Sequence, residues 1–205
     1  MRDVRFVKGS KLVSRDEAAR SAVLVAGTGI TEPSTVHAFD SEESFQAWAA
    51  TSPAKKSLLE LDERVARARA EQPVDGRVKE VADRAVAGLH DLAERCALQP
   101  VDDELLRRAT TTPSGGVALF PSLMVLFDAY GLAGGWRPVA GTAPVLDWIG
   151  FDDRTSSVWL AGAGVLGQHP WFGGQRIYLL GVPFARYEDL RAMGFDNRAS
   201  SAAVL

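Results

Sequence analysis

The chain has 205 residues, 46% of them hydrophobic and 24% charged, and a formal net charge of −3. These values are ordinary for a soluble globular protein, and the length suffices for one large domain or two small ones. The slight negative charge argues against a protein that binds nucleic acid by neutralising phosphates. Because Cys96 is the only cysteine, no disulfide can form within the chain.

The start of the sequence gives an expectation about location. The first twenty residues lack the apolar segment of a secretory signal peptide. No stretch of the sequence approaches the roughly 18 apolar residues of a membrane-spanning helix. We therefore expect a cytoplasmic protein with neither a membrane nor a nucleic-acid partner, and secretion by another route is left open.

Residues 1–112 are predicted to form a mostly helical domain of unknown function. Two short strand-like runs, at 23–25 and 35–39, precede the helices. Asp40 or Ser41 is a suitable N-cap for the first helix, because its side-chain oxygen can accept from a free backbone amide. Further helices are predicted from apolar residues at helical spacing, over approximately residues 53–70, 78–92 and 102–109.

The sequence changes character after a linker candidate at 110–116, which is rich in Thr and Gly. Glycine and aromatic residues become frequent, and long amphipathic runs disappear. Residues 113–205 are therefore predicted to form an all-β Greek-key sandwich, which makes the whole chain an α+β protein in two parts. Strands are expected over 117–127, 136–140, 157–160, 164–168, 175–180 and 199–205.

A nine-residue segment occurs twice in this second part. The sequence GFDDRTSSV at 150–158 returns as GFDNRASSA at 194–202, 44 residues later and identical at six of nine positions. Such a repeat indicates two copies of one structural unit. Each copy contains a hexamer of acidic or amide residues followed by hydroxyl residues, and these supply the oxygen ligands that Ca²⁺ prefers.

The residues around the repeat resemble βγ-crystallin motifs of the microbial, calcium-binding kind. In the second copy the similarity runs from the glycine corner WFGG at 171–174 to the hexamer DNRASS at 196–201. In the first copy it runs from the pair Phe127-Asp128 through Gly134-Gly135 to the hexamer DDRTSS at 152–157. The resemblance implies a single domain of two intercalated Greek keys.

The resemblance covers approximately residues 115–205 and includes three departures from the family pattern. The spacing from glycine corner to hexamer differs between the copies by about five residues. The second copy has Gly167-Gln168 where an aromatic residue and a glutamate are usual. The first copy has one residue more before its glycines. Asp and Ser also stabilise turns in proteins that bind no metal, but two hexamers in matching context favour binding.

The resemblance further implies two calcium sites, each shared between the copies. In the family, the second hexamer position and the fifth-position hydroxyl supply side-chain oxygens, the third position supplies its carbonyl, and the partner motif supplies another carbonyl. In the first hexamer these positions are Asp153, Ser156 and Arg154. In the second hexamer they are Asn197, Ser200 and Arg198. The first positions, Asp152 and Asp196, would brace the loops or add charge.

Formal charge ranks the two predicted sites. The first hexamer has two carboxylates, on Asp152 and Asp153, whereas the second has only that of Asp196, because Asn197 is neutral. Fewer carboxylates weaken Ca²⁺ binding. We therefore expect the site that uses Asn197 to be the weaker one, with dissociation constants overall between about 10⁻⁶ and 10⁻³ M.

Together these observations predict a non-enzymatic protein whose Ca²⁺ ions stabilise the β domain. The sequence contains no nucleophile elbow, phosphate loop or carboxylate pair in an enzymatic context. Two alternatives stay open. One is a protease inhibitor or toxin-like protein on the same fold, although the inhibitors of this family are secreted and disulfide-bonded. The other is that the helical half carries the function, as an interaction module for a protein partner or as an unrecognised enzyme, and uses the β domain as a scaffold.

Overall fold

The computed structural model describes residues 4–27, 35–51, 55–70 and 122–205. The N-terminal elements are β1 (Arg5–Lys8), β2 (Lys11–Val13), α1 (Arg15–Ala18), β3 (Val23–Ala26), β4 (Thr35–Phe39), α2 (Glu42–Ala49) and α3 (Lys56–Ala70). The C-terminal elements are β5 (Leu123–Ala129), β6 (Ala133–Val139), β7 (Thr142–Ala143), β8 (Ser157–His169), β9 (Gly173–Tyr187) and β10 (Ser201–Val204).

The long strand β8 changes partners in its middle. Its first part, residues 157–161, pairs with β5, and its second part, residues 164–167, pairs with β10. The break falls at Gly162, whose φ of 103° is rarely adopted by residues with a Cβ. A Cβ at this position would also overlap the carbonyl oxygen of Leu205. Glycine is therefore required where the strand bends.

The two parts of β8 belong to two sheet regions with similar strand orders. One region has the order β6-β5-β8-β9 and the other the order β7-β10-β8-β9, with β8 and β9 contributing opposite ends to the two. Leu126 of β5 and Leu166 of the second part of β8 lie in one core cluster. Phe151 and Phe195, the phenylalanines of the repeat, are buried in the same cluster and so anchor the two hexamers to the core.

The N-terminal strands continue the sheet beyond β9. β3 runs parallel to the first part of β9, with Val23 opposite Arg176 and Ala26 opposite Leu179. β4, β1 and β2 follow outward in that order. All four residues of β3 are buried, as is usual for a parallel strand inside a sheet. The described N-terminal residues therefore share one sheet with the C-terminal ones.

Helices α2 and α3 contribute to a second core cluster, together with residues of β3, β8 and β9. The Ser41 hydroxyl accepts from the Ser44 amide at 3.2 Å, which confirms Ser41 as the N-cap of α2. On α3, Leu58, Leu61 and Val65 are buried at the predicted helical spacing. No helix within the described residues is long and apolar enough to cross a membrane.

A buried charged cluster joins these helices to β9. The Arg176 side chain is 2% exposed and forms ion pairs with Asp62 of α3, at 3.2 Å, and with Glu42 of α2. The Tyr178 hydroxyl donates to the same Asp62 carboxylate, and burial raises the pKa of Tyr178. Because a buried charge is tolerated only when it is paired, this cluster fixes α2 and α3 against β9.

The described N-terminal half differs from a mostly helical region, since it contains four strands and three helices. The two strands predicted near 23–25 and 35–39 are present as β3 and β4. β1 and β2 were not predicted, because they are short and are stabilised by pairing with each other and with β4. Several predicted features lie outside the described residues: the start of the helix predicted over 53–70, the helices at 78–92 and 102–109, the linker, and the boundary between 112 and 113.

In the C-terminal half the predicted strands correspond to β5, β6, β8, β9 and β10. The runs predicted separately at 157–160 and 164–168 are the two parts of β8, which is continuous through its bend. Within residues 122–205, the described part of this half, the regular elements are strands and short 3₁₀ turns, as expected.

Candidate metal centre

The two hexamers follow equivalent 3₁₀ turns, Leu146–Ile149 and Leu190–Met193. Each turn ends at a glycine with positive φ, 65° at Gly150 and 72° at Gly194, a conformation that glycine adopts without steric cost. In both copies the next residue, a phenylalanine, donates its amide back to the first residue of the turn at 3.0 Å. The repeated sequence therefore forms a repeated structure.

The residue at the second position of each hexamer forms a backbone hydrogen bond to the other hexamer. Asp153 and Asn197 have φ of 47° and 49°, and Asp and Asn are among the few residues besides glycine that readily adopt this left-handed conformation. The Asp153 amide donates to the carbonyl of Ala199 at 3.0 Å, and the Asn197 amide donates to that of Thr155 at 2.9 Å. Each loop is thus bonded to the fourth position of the other.

The side chains at the second positions also contact the other hexamer, and we call each of these two contacts a crossing. Oδ1 of Asp153 lies 3.5 Å from Oγ of Ser200, and Oδ1 of Asn197 lies 3.1 Å from Oγ of Ser156. The resemblance implied that the partner copy supplies a backbone carbonyl to each site, and it gave no side-chain contact between the hexamers. The structure brings each second-position side chain together with the fifth-position hydroxyl of the other hexamer.

The first-position carboxylates, on Asp152 and Asp196, each have one oxygen that is buried and unpaired. Within the described residues, neither Oδ1 atom has a hydrogen-bond partner, and the same is true of the Thr155 hydroxyl. A buried polar oxygen without a partner is unfavourable, and a cation at this place would satisfy it. The loops therefore fit a hard, oxygen-seeking cation such as Ca²⁺.

The donors in these loops are mostly neutral. No group of three or more His, Cys, Asp or Glu side chains suited to a metal occurs in the part of the chain that the structure describes. A cation between these loops would therefore rely on amide, hydroxyl and carbonyl oxygens beside its carboxylates, which is a donor set that Ca²⁺ accepts.

The third-position arginines point away from the crossing. Nη1 of Arg154 donates to the carbonyl of Gly150 at 3.0 Å, and Nη1 of Arg198 donates to that of Gly194 at 2.7 Å. Arg154 also forms an ion pair with Asp128 at 2.6 Å. Because both guanidinium groups are engaged elsewhere, the predicted role of these residues can only use their backbone carbonyls.

The sixth-position serines were not singled out from the sequence, yet both are buried and stabilise a hairpin corner. Oγ of Ser157 donates to the carbonyl of Ala129 at 2.6 Å, and Oγ of Ser201 donates to that of His169 at 2.8 Å. The sequence signal for this role was that serine occupies the sixth position in both copies. These serines hold each hairpin corner against its own hexamer.

The hairpin corners of the two copies are also equivalent. Asp128 and Gln168 each accept, through a side-chain oxygen, from the backbone amide seven residues later. This spacing makes Gly134 equivalent to Gly174, and both have positive φ, 81° and 67°. With this alignment the two corners have the same length, so the first copy has no extra residue before its glycines. Gln168 therefore keeps the hydrogen bond of the usual acidic residue without its charge.

One aromatic side chain of the first copy reaches the second hexamer. The Tyr130 hydroxyl donates to Oδ2 of Asp196 at 2.9 Å, and this hydrogen bond raises the pKa of Tyr130. The guanidinium carbon of Arg191 lies 3.5 Å from the centroid of the Tyr130 ring. Arg191 also donates twice, at 2.9 Å, to the Asp189 carboxylate and lowers the pKa of Asp189.

The solved structures similar to this chain include several βγ-crystallins. A βγ-crystallin from Ciona intestinalis is 21% identical, with 40% of this chain and 99% of that chain covered and a TM-score of 0.37. One from an archaeon is 17% identical, with 42% and 100% covered and a TM-score of 0.38. A βγ-crystallin domain from Flavobacterium johnsoniae is 19% identical, with 40% and 92% covered and a TM-score of 0.35. No family model and no curated protein matches the sequence.

Proposed function

We propose that this protein is a non-enzymatic calcium-binding protein with two Ca²⁺ sites in a βγ-crystallin-like domain at residues 113–205. One site is formed around Asp153 and Ser200, and the other around Asn197 and Ser156. Bound Ca²⁺ stabilises the domain by connecting the two copies of the repeat. Helices α2 and α3 contribute no ligand to the proposed calcium sites.

The observation that carries the proposal is the crossing of the two hexamers. Each crossing places a side-chain oxygen of one copy within 3.5 Å of a hydroxyl of the other. A cation bound at such a place has ligands from both copies, and it binds only when the two loops are folded together. Ligands that bind only the folded state raise its stability.

The unpaired oxygens of Asp152 and Asp196 support the proposal independently. These atoms are buried without a hydrogen-bond partner among the residues that the structure describes, an arrangement that a bound cation would make favourable. The carbonyl oxygens of Arg154 and Arg198 are proposed to complete the ligand sets, since their side chains are held by the preceding 3₁₀ turns.

The two sites differ in charge, and this difference is proposed to rank them. The Asp153–Ser200 site has a carboxylate at its crossing, whereas the Asn197–Ser156 site has an amide. Because a carboxylate attracts Ca²⁺ more strongly than a neutral oxygen, the first site binds more tightly. Asp196 is the acidic residue closest in sequence to the weaker crossing.

Calorimetric titration of the full chain with CaCl₂ tests the proposal. We expect two binding events in the wild type, loss of the tighter one in Asp153→Ala and loss of the weaker one in Asn197→Ala. Asp147→Ala is the matched control, because it removes an exposed carboxylate from the 3₁₀ turn just before the first hexamer. Equal losses in the two loop variants would refute the ranking, and a wild type that binds no Ca²⁺ would refute the function.

A further inference from the structure

We propose that Tyr130 is a positioning residue of the Asn197–Ser156 site, which makes the two calcium sites unequal in rigidity as well as in charge. Its hydroxyl holds the Asp196 carboxylate in one orientation beside the crossing of the loops. This inference rests on the proposed function, but it concerns a residue outside both hexamers.

The contacts of the phenol place it at this site. Tyr130 belongs to the hairpin corner of the first copy, and its hydroxyl donates to Oδ2 of Asp196, in the second copy, at 2.9 Å. Tyr130 therefore joins the hairpin corner of the first copy to Asp196, the neighbour in sequence of Asn197, which pairs with Ser156.

The hydrogen bond from Tyr130 uses one oxygen of the Asp196 carboxylate and leaves the other available. With Oδ2 bonded to the phenol, Oδ1 is buried and has no partner within the described residues. Oδ1 of Asp152 is also buried and unpartnered within the described residues, so the phenol does not create this orientation. It restrains the orientation in Asp196 and leaves Oδ1 available to a cation. A ligand that is already oriented loses less conformational entropy on binding, and this raises affinity.

The ring itself is held although it is exposed. Tyr130 is 40% exposed, and a side chain at this exposure would ordinarily sample several rotamers. Arg191 stacks on the ring at 3.5 Å from its centroid, and two contacts of 2.9 Å fix Arg191 to Asp189. The chain from Asp189 through Arg191 to Tyr130 restricts the position of the hydroxyl.

The other site lacks this arrangement because the second copy has a different residue at the corresponding place. The hairpin hydrogen bonds match Asp128 with Gln168, an offset of 40 residues that matches Tyr130 with Pro170. Proline has no hydroxyl to donate to Asp152. Tyr130 therefore acts on one calcium site only, and this selectivity makes the inference testable.

The test is calorimetric titration of Tyr130→Phe with CaCl₂ in two backgrounds. Asp153→Ala leaves the Asn197–Ser156 site, and Asn197→Ala leaves the Asp153–Ser200 site. Losing one hydrogen bond of ordinary net strength corresponds to about a fivefold weaker affinity. We expect this loss in the Asp153→Ala background and an unchanged dissociation constant in the Asn197→Ala background.

Tyr178→Phe is the control for general destabilisation, because it removes a buried phenol hydroxyl bonded to Asp62, in the charged cluster of the helices. It should lower the melting temperature and leave both calcium affinities unchanged. Unchanged or tighter binding in Tyr130→Phe at the Asn197–Ser156 site overturns the inference while the proposed function stands. Equal weakening of both sites also overturns it. A wild type that binds no Ca²⁺ overturns the function and the inference together.

Discussion

The two copies of the repeat have matching backbones and different charged side chains. Their glycines, phenylalanines and sixth-position serines make the same bonds in both. The differences are Asp153 against Asn197, and Asp128 against Gln168. The residues that fix the backbone and the fifth-position serines are thus repeated, while the second-position side chain and the acceptor at the hairpin corner differ in charge. The comparison teaches that one folding unit can carry two sites of different strength.

The copies also differ in what they contact outside the repeat. The hairpin corner of the second copy is joined to α3, because Arg69 donates to the carbonyl of Phe172 at 2.6 Å and 3.1 Å. The strand that follows this corner, β9, carries Arg176 and pairs with β3. The second copy is therefore part of the interface with the N-terminal half, and variants can separate that role from cation binding.

The largest effect is expected from Asp62→Ala, which removes a partner of Arg176 and Tyr178 in the helical interface of the second copy. Leaving a buried guanidinium underpaired costs about 3–5 kcal/mol. Denaturant unfolding should show this loss. The control Glu60→Ala breaks an exposed pair with Lys56 on the same helix and should change stability little. Similar small losses in both variants would show that the buried cluster does not hold the interface.

Calcium should produce the next largest effect. At a Ca²⁺ concentration a hundredfold above the dissociation constant, one site adds about 2.7 kcal/mol to the free energy of unfolding. Thermal melts of the wild type in CaCl₂ and in chelator measure this gain. Asp153→Ala should remove more of it than Asn197→Ala at the same concentration, because the tighter site is the more saturated one. A melt that is insensitive to Ca²⁺ contradicts the proposed function.

The corner glycines provide a smaller comparison between the copies. Alanine at Gly134 or Gly174 must adopt a positive φ, which costs about 1 kcal/mol. A Cβ at Gly134 would also overlap the Asp128 carboxylate, which is held by its bond to the Gly135 amide. At Gly174 it would meet the His169 ring, whose end can move. Gly134→Ala should therefore be the more destabilising in urea unfolding, and the reverse order would contradict the geometry.

The smallest effect is expected from the arginines of the hexamers. Arg154 pairs with Asp128 at 2.6 Å, and their side chains are 54% and 21% exposed. Arg154→Gln should cost at most about 1 kcal/mol, and high salt should reduce the difference from wild type. Arg198 donates to a backbone carbonyl, so the effect of Arg198→Gln should depend less on salt. Equal salt dependence would remove this distinction between the copies.

The sequence was sufficient to predict the repeat, the C-terminal strands and the cap of α2, because these features depend on local patterns. Local hydrogen bonds define these features: the glycine and phenylalanine of each copy and the hydroxyl of Ser41 bond to residues only a few positions away. The apolar spacing of α3 likewise identified its buried face. Periodicity and capping are the signals that a single sequence expresses most directly.

The features that could not be predicted depend on distant partners. β1 and β2 form because β4 provides an edge for β1, and β1 provides one for β2. The pairing of Asp153 with Ser200 follows from how the two loops pack, 47 residues apart. Tyr130 reaches Asp196 across 66 residues. None of these contacts has a local signal, although the serines at 157 and 201 could have been found from their repetition.

The crossing of the loops is tested most directly by calcium titration of two double variants. Asp153→Ala with Ser200→Ala changes two residues of one proposed site, so one calcium ion should still bind with the wild-type affinity of the weaker site. Asp153→Ala with Ser156→Ala changes one residue in each site, so both binding events should weaken or disappear. The opposite result, with one intact site in the second variant and none in the first, would mean that each hexamer binds calcium by itself and would contradict the shared sites.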